Sequence, residues 1–387
     1  MERESAHASA GVVAALVGYT SSFAVVLTGL RAVGATSDQA SSGLLVLCVA
    51  QTVGIMWLAR RYRRPLVLVW STPGAALLAS TGTVDGGWAA AVGAFVLAGL
   101  LYGLTGLWPL LGRLISRIPP PIAQAMLAGV VLELCLAPVI SVADQPGAIL
   151  PIVVAWLVGV RFFARWAVPV AFVVAGLVIG VDLVRRGEAI AGSRLLPHLE
   201  LTTPDLTWAA IVGIAIPLYV VTMASQNVPG VAIMRSYEYE VPWRASMVTA
   251  GVGTTVGAVA GGHSINLAAI SAALVAGPEG GPDPKQRWRT AQWAGIAYFV
   301  LGLASAAVAA LVAVAPVGVI ETVAGLALLG TLIAALKATV DRTDTREAAL
   351  VTFLVAASGI TVAGVGSAFW AIVAGLVIHL ALSRRPV

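Results

Sequence analysis

Few side chains in this sequence are equipped for chemistry, and most of those lie inside apolar runs. His263 follows Gly261-Gly262, Glu133 and Glu321 interrupt otherwise apolar segments, and Gln226 and Asn227 stand side by side just before Pro229-Gly230. Ionisable groups in apolar surroundings are expensive, and in membrane proteins they mark ion or proton pathways. His changes charge near neutral pH, so His263, with Glu133 and Glu321 behind it, is the candidate for moving a proton. Each also has a structural reading, as a hydrogen-bonding strut or as a carboxylate anchored to a hydroxyl or an Arg. Two adjacent carboxamides in such surroundings need partners, and a polar ligand is one kind of partner. There is no His-Glu-x-x-His helix, Gly-x-Ser-x-Gly elbow, phosphate-binding Gly loop or Asp-rich metal motif, so no enzyme activity, metal site or cofactor is expected.

Two short broken stretches are suited to presenting these groups. Leu66-Ser80 (LVLVWSTPGAALLAS) and Gly261-Gly277 (GGHSINLAAISAALVAG) each pass through a polar bend, Ser71-Thr72-Pro73-Gly74 and His263-Ser264-Ile265-Asn266, into a small-residue helix. Aligning Ser71 with Ser264 sets Ala75-Ala76-Leu77 on Ala268-Ala269-Ile270. Neither stretch is comfortably long enough for a plain spanning helix of about 20 residues. Interrupted segments at matching places in two halves point to a secondary transporter's binding site. Two half-helix N-termini facing each other would favour an anionic or strongly polar ligand. Donors to it are expected from Ser71, Thr72, Ser264 and Asn266, with Pro73, Gly74 and Ile265 in the same bends, Gln226 and Asn227 closing the polar side, and Tyr19 and Ser22 lining the cavity. Trp70, Tyr19 and Phe23 offer aromatic faces.

Composition fixes the class. The 387 residues are 59% hydrophobic and only 11% charged, with a mean hydropathy of +0.94, which describes a polytopic membrane protein. Apolar runs predict fourteen spans, at roughly 11-30, 39-59, 66-80, 88-111, 121-140, 148-160, 167-184, 205-227, 242-260, 263-277, 290-314, 316-336, 346-362 and 366-383. Charge orders them. Nineteen of the 23 Lys and Arg residues fall on one side of this arrangement, and only Arg31, Arg185, Arg186 and Arg194 fall on the other. By the positive-inside rule both termini are then cytoplasmic. Net charge of +5 is thus topogenic, with no nucleic acid implied. Seven spans per half make the second half an inverted repeat of the first. Cys48 and Cys135 lie in apolar runs and suggest packing alone.

Ser71-Thr72-Pro73-Gly74-Ala75-Ala76, Ala224-Ser225-Gln226-Asn227-Val228-Pro229-Gly230 and Gly261-Gly262-His263-Ser264-Ile265-Asn266-Leu267-Ala268-Ala269-Ile270 together resemble the BenE family of bacterial benzoate/proton symporters, over essentially the whole chain. That family is similar in fold to the uracil and sulfate permeases. The resemblance implies an all-α polytopic protein with a 7+7 inverted repeat. Residues 1-111 and 205-314 would form a core domain, 112-186 and 315-387 a gate domain, and 187-204 a periplasmic connector. Short antiparallel strands would lead into half-helices in segments 3 and 10, the second from the Gly-rich stretch before Ile265. It also implies an inner-membrane importer of benzoate or a similar small aromatic carboxylate with a proton, and gate-gate contact compatible with a homodimer. Nucleobase members of the wider fold use glutamates in the eighth and tenth spans, where this chain has Gln226 and Asn227 in the eighth and no carboxylate in the tenth. Losing those charges suits an anion, since a buried carboxylate repels a second one. Transporters or exchangers of another small anion, and an anion channel, stay open as alternatives.

Overall fold

The computed structural model describes residues 2–108, 110–112 and 118–382. Arg113, Arg117, Arg384 and Arg385, counted among the loop charges, lie outside the described residues, as do the side chains of Arg3 and Arg194.

In chain order the first half comprises α1 (Glu2–Thr20), α2 (Phe23–Ala32), α3 (Ser37–Tyr62), β1 (Leu68–Trp70), α4 (Thr72–Thr81), α5 (Gly87–Leu107), α6 (Pro120–Asp144), α7 (Pro146–Phe162) and α8 (Ala167–Arg186). The second half comprises α9 (Trp208–Ser236), α10 (Trp243–Ala258), β2 (Ile265–Leu267), α11 (Ile270–Ala276), α12 (Trp288–Leu303), α13 (Ser305–Ala313), α14 (Val319–Val340), α15 (Arg346–Ala357) and, after the small β3–β4 hairpin (Thr361–Val362, Val365–Gly366), α16 (Ser367–Leu382). Each expected segment contains helix, and in 66-80 and 263-277 the helix is preceded by a strand, β1 or β2. Among the described residues seven helices are long and apolar enough to cross a membrane, or eight if the pair α12–α13, bent by 48°, is one span.

Local signals account for the boundaries. Thr36 and Gln39 form a reciprocal capping box at the start of α3, and Arg60 and Arg61 sit in its last turn, complementing the helix dipole. The α1–α2 break is made by hydroxyls: Thr20 donates to the Leu16 carbonyl, and Ser21 and Ser22 both donate to that of Gly18. These bonds compete with the helical ladder. The span expected to end near residue 227 is longer than that, because α9 runs on through Pro229-Gly230 to Ser236. A π-helical turn over Met223–Asn227 comes just before the proline. The wider turn accommodates a ring that lacks an N–H.

Small residues set the packing distances. α6 lies against α14 and α15, α5 against α10, and α3 against α12. A Cβ on Gly129 of α6 would stand 2.5 Å from Ala356 Cβ and 2.7 Å from the Phe353 carbonyl in α15, and one on Gly325 of α14 would strike the Leu134 carbonyl of α6. Close backbone approach of this kind drives helix association where both helices and lipid are apolar.

A strand crossing and the cavity beside it

β1 and β2 meet as an antiparallel pair, with Leu68 opposite Leu267, Val69 opposite Asn266 and Trp70 opposite Ile265. Two equivalent bonds close its ends at 3.0 Å, Ser71 N–H to the Ser264 carbonyl and Ala268 N–H to that of Val67. In an apolar interior every extended N–H must find an acceptor. The outer edge of β2 finds them in side chains: Thr254 Oγ1 accepts from Ile265 N–H at 3.1 Å, and Asn227 Oδ1 from Leu267 N–H at 2.9 Å.

This register corrects two expectations. Ser71 corresponds to Ala268, not Ser264, a shift of four residues. The second strand also lies on Ile265–Leu267 itself and not on the glycines before it, so α11 starts at Ile270, five residues later than expected. Sequence similarity between the bends followed the polar residues, whereas the way the two stretches meet is set by backbone pairing.

Beside the crossing is a cavity of about 260 Å³. One wall comes from the α1–α2 break (Gly18, Ser21, Ser22) and the β1–α4 junction (Val69, Trp70, Thr72, Pro73). Gln226, Ser271 of α11 and Tyr298 of α12 close the polar side. Opposite lie Val168 and Pro169 of α8, Ala327 and Thr331 of α14, and Arg165 in the α7–α8 turn. The Ser271 and Tyr298 hydroxyls both crowd Gly18, where a Cβ would meet them. Trp70 presents its ring to the cavity while its Nε1–H donates to Ser22 Oγ at 2.8 Å.

Of the expected site residues, the structure brings Ser22, Thr72, Pro73 and Gln226 to this cavity. It places the others elsewhere. Ser71 is fully buried, its Oγ capping α4 through Gly74 N–H (3.0 Å) and bonded to Thr222 Oγ1 (2.6 Å). Gly74 packs so tightly that a Cβ would lie 2.5 Å from Leu218 Cδ1. Asn227 braces β2, Ile265 and Asn266 are buried strand residues, and Ser264 is buried beside them. Tyr19 is buried behind Trp70, ring centroids 5.5 Å apart, and its hydroxyl has no partner. His263 is also fully buried: its Nε2–H donates to the Ser71 carbonyl at 3.0 Å and Nδ1 has no partner. Glu133 and Glu321 are exposed, on α6 and in the first turn of α14, away from the cavity. Sequence reasoning missed Ser21, Ser271, Tyr298, Thr331 and Arg165. Ser271 follows directly on the quoted motif, and Arg165 was counted only as an orienting charge.

A half-broken helix pair, crossed strands and a cavity between two helix groups define a membrane transporter. The chain belongs to the family described as Benzoate membrane transport protein (BenE), whose pattern matches residues 2–381. It is 38% identical over 377 residues to "Inner membrane protein YdcO" of Escherichia coli (strain K12), covering 97% of this chain and 95% of that protein. It is 26% identical over 375 residues to "Benzoate membrane transport protein" of Acinetobacter baylyi (strain ATCC 33305 / BD413 / ADP1), covering 97% and 94%. Among solved structures, the transmembrane domain of the cyanobacterium bicarbonate transporter BicA superposes with a TM-score of 0.59 at 16% identity, covering 98% of this chain and 96% of that one. SLC26A9 superposes with a TM-score of 0.64 at 12% identity, covering 96% and 65%. At those identities the likeness is one of fold. The family, the Acinetobacter protein and the cyanobacterial protein are described as transporters, not enzymes.

Proposed function

We propose that this protein carries benzoate or a similar small aromatic carboxylate across the bacterial inner membrane together with a proton. The observation that supports this best is the cavity's division of labour. Thr72, Gln226, Ser271 and Tyr298 bring hydrogen-bonding groups to its lining, and Trp70, Val168 and Pro169 bring aromatic and apolar surface. That combination suits a ring bearing one polar group. The α4 N-terminus adds the positive end of a helix dipole.

Transport follows by alternating access. Residues 1-111 and 205-314 form the core and 112-186 and 315-387 the gate, in fourteen spans related as a 7+7 inverted repeat, with 187-204 as the periplasmic connector and both termini cytoplasmic. The cavity lies between core and gate, so a movement of one against the other changes the side to which it opens. His263 remains the first candidate for the proton, ahead of Glu133 and Glu321, because its Nδ1 lone pair has no partner inside the fold. Two copies meeting through their gates would form the homodimer.

Ligand binding to the folded state raises thermal stability by mass action, which gives a direct test. Benzoate raises the melting temperature of the purified protein, while its uncharged isostere benzamide and the nucleobase uracil do not. A shift with uracil or benzamide, and none with benzoate, would reject an aromatic anion as the substrate.

A further inference from the structure

Arg165 stands in the short turn Ala164–Trp166 between α7 and α8 and borders the cavity. Among the described residues of the cavity wall it is the one charged side chain. Its Nη1–H donates to Glu279 Oε2 at 3.2 Å. Glu279 lies in the turn after α11, on the opposite helix group, and that turn is fixed from behind. Arg287 donates to the Ala276 carbonyl at 2.6 Å and to that of Gly281 at 2.8 Å, and Thr290 Oγ1 donates to the Gly280 carbonyl at 2.6 Å. The acid is therefore held by a fixed turn, while the base, which lines the cavity, reaches it from the α7–α8 turn.

Both side chains remain open to solvent, Arg165 at 54% and Glu279 at 60%. Exposed pairs of this kind contribute little to stability and exchange partners readily. A guanidinium that binds one carboxylate binds another by the same charge-assisted hydrogen bonds. With every other wall residue uncharged, Arg165 is the single fixed charge that separates an anion from a neutral molecule of the same shape.

We propose that Arg165 selects anions for the cavity, and that Glu279 is a built-in competitor which an incoming carboxylate displaces. This rests on reading the cavity as the substrate site. Displacement frees the α7–α8 turn from the turn after α11, so occupancy by an anion and separation of the two walls become linked equilibria.

The test is initial uptake into proteoliposomes by wild type, Arg165→Gln, Arg165→Lys, Glu279→Gln and the double variant, with benzoate, bicarbonate, nitrate and chloride as substrates. Competition predicts opposite signs: KM rises about tenfold in Arg165→Gln and falls about threefold in Glu279→Gln. Arg165→Lys, which keeps the charge, lies between wild type and Arg165→Gln. The double variant matches Arg165→Gln, because Glu279 acts only through Arg165. A purely structural latch predicts that both single variants shift KM in the same direction, and that result, or no shift in either, overturns the proposal. A wild type that takes up another anion of the panel but not benzoate rejects the aromatic substrate, and the same opposite shifts on that anion then uphold Arg165. A wild type that takes up none of the four overturns both.

Discussion

In the π-helical turn of α9, Gln226 faces the cavity, while the next side chain, Asn227, turns inward to the edge of β2. Neighbouring residues of one chemical type therefore have separable duties. Gln226→Leu is expected to raise the benzoate KM about tenfold with little change in melting temperature, since a half-buried amide at a cavity loses only its ligand contact. Asn227→Leu instead leaves the Leu267 N–H buried without an acceptor, at a cost of about 1–3 kcal/mol, and lowers the melting temperature. Uptake and thermal unfolding of both variants check the assignment, which a reversed pattern would contradict. His263→Gln tests the proton's route: uptake driven by a pH gradient is lost while counterflow of benzoate at equal pH persists, and intact pH-driven uptake would remove His263 from the mechanism. From sequence, Gln226 and Asn227 look interchangeable, because side-chain direction within a π turn is set by backbone hydrogen bonding that spacing does not reveal. Arg165 was hidden for a different reason, since an Arg in a short loop has the same appearance whether it orients the chain or borders a cavity.

Among the elements, the β1–β2 crossing and α4 carry the most weight. Ser71 ties several elements together, through its Oγ to Gly74 N–H and Thr222, through its carbonyl to His263 and through its N–H to the Ser264 carbonyl. Ser71→Ala removes the helix cap, worth about 1 kcal/mol, and is expected to lower the melting temperature of the purified protein. Gly325→Leu meets backbone on α6, and such overpacking costs about 1–3 kcal/mol or more. A wild-type melting curve for that variant would contradict the packing described. The existence of both broken stretches was legible in the sequence, since polar and Gly-Pro residues interrupt apolar runs that are too short to span. Their register was not. Ser71 and Ser264 share a residue type, but the strands pair Trp70 with Ile265, and pairing depends on which N–H and carbonyl groups meet. The α9 helix passing through Pro229 was also illegible, because a π turn is a response to the proline and carries no composition of its own.

At the scale of the whole molecule, composition alone points to the membrane class, and among the described residues seven helices, or eight with the bent pair, are long and apolar enough to cross a bilayer. Which of the shorter helices, such as α7 and α16, cross a bilayer depends on tilt and neighbours, which an apolar run does not encode. One-to-one symport of a proton with a monoanion moves no net charge, so the membrane voltage supplies no drive, while each pH unit supplies about 1.4 kcal/mol, or tenfold accumulation. The most direct measurement is uptake of labelled benzoate into proteoliposomes with a pH gradient and a voltage imposed separately. Proton symport through this cavity predicts uptake that follows the pH gradient and ignores the voltage. Uptake that follows the voltage alone, or none under either gradient, would contradict it.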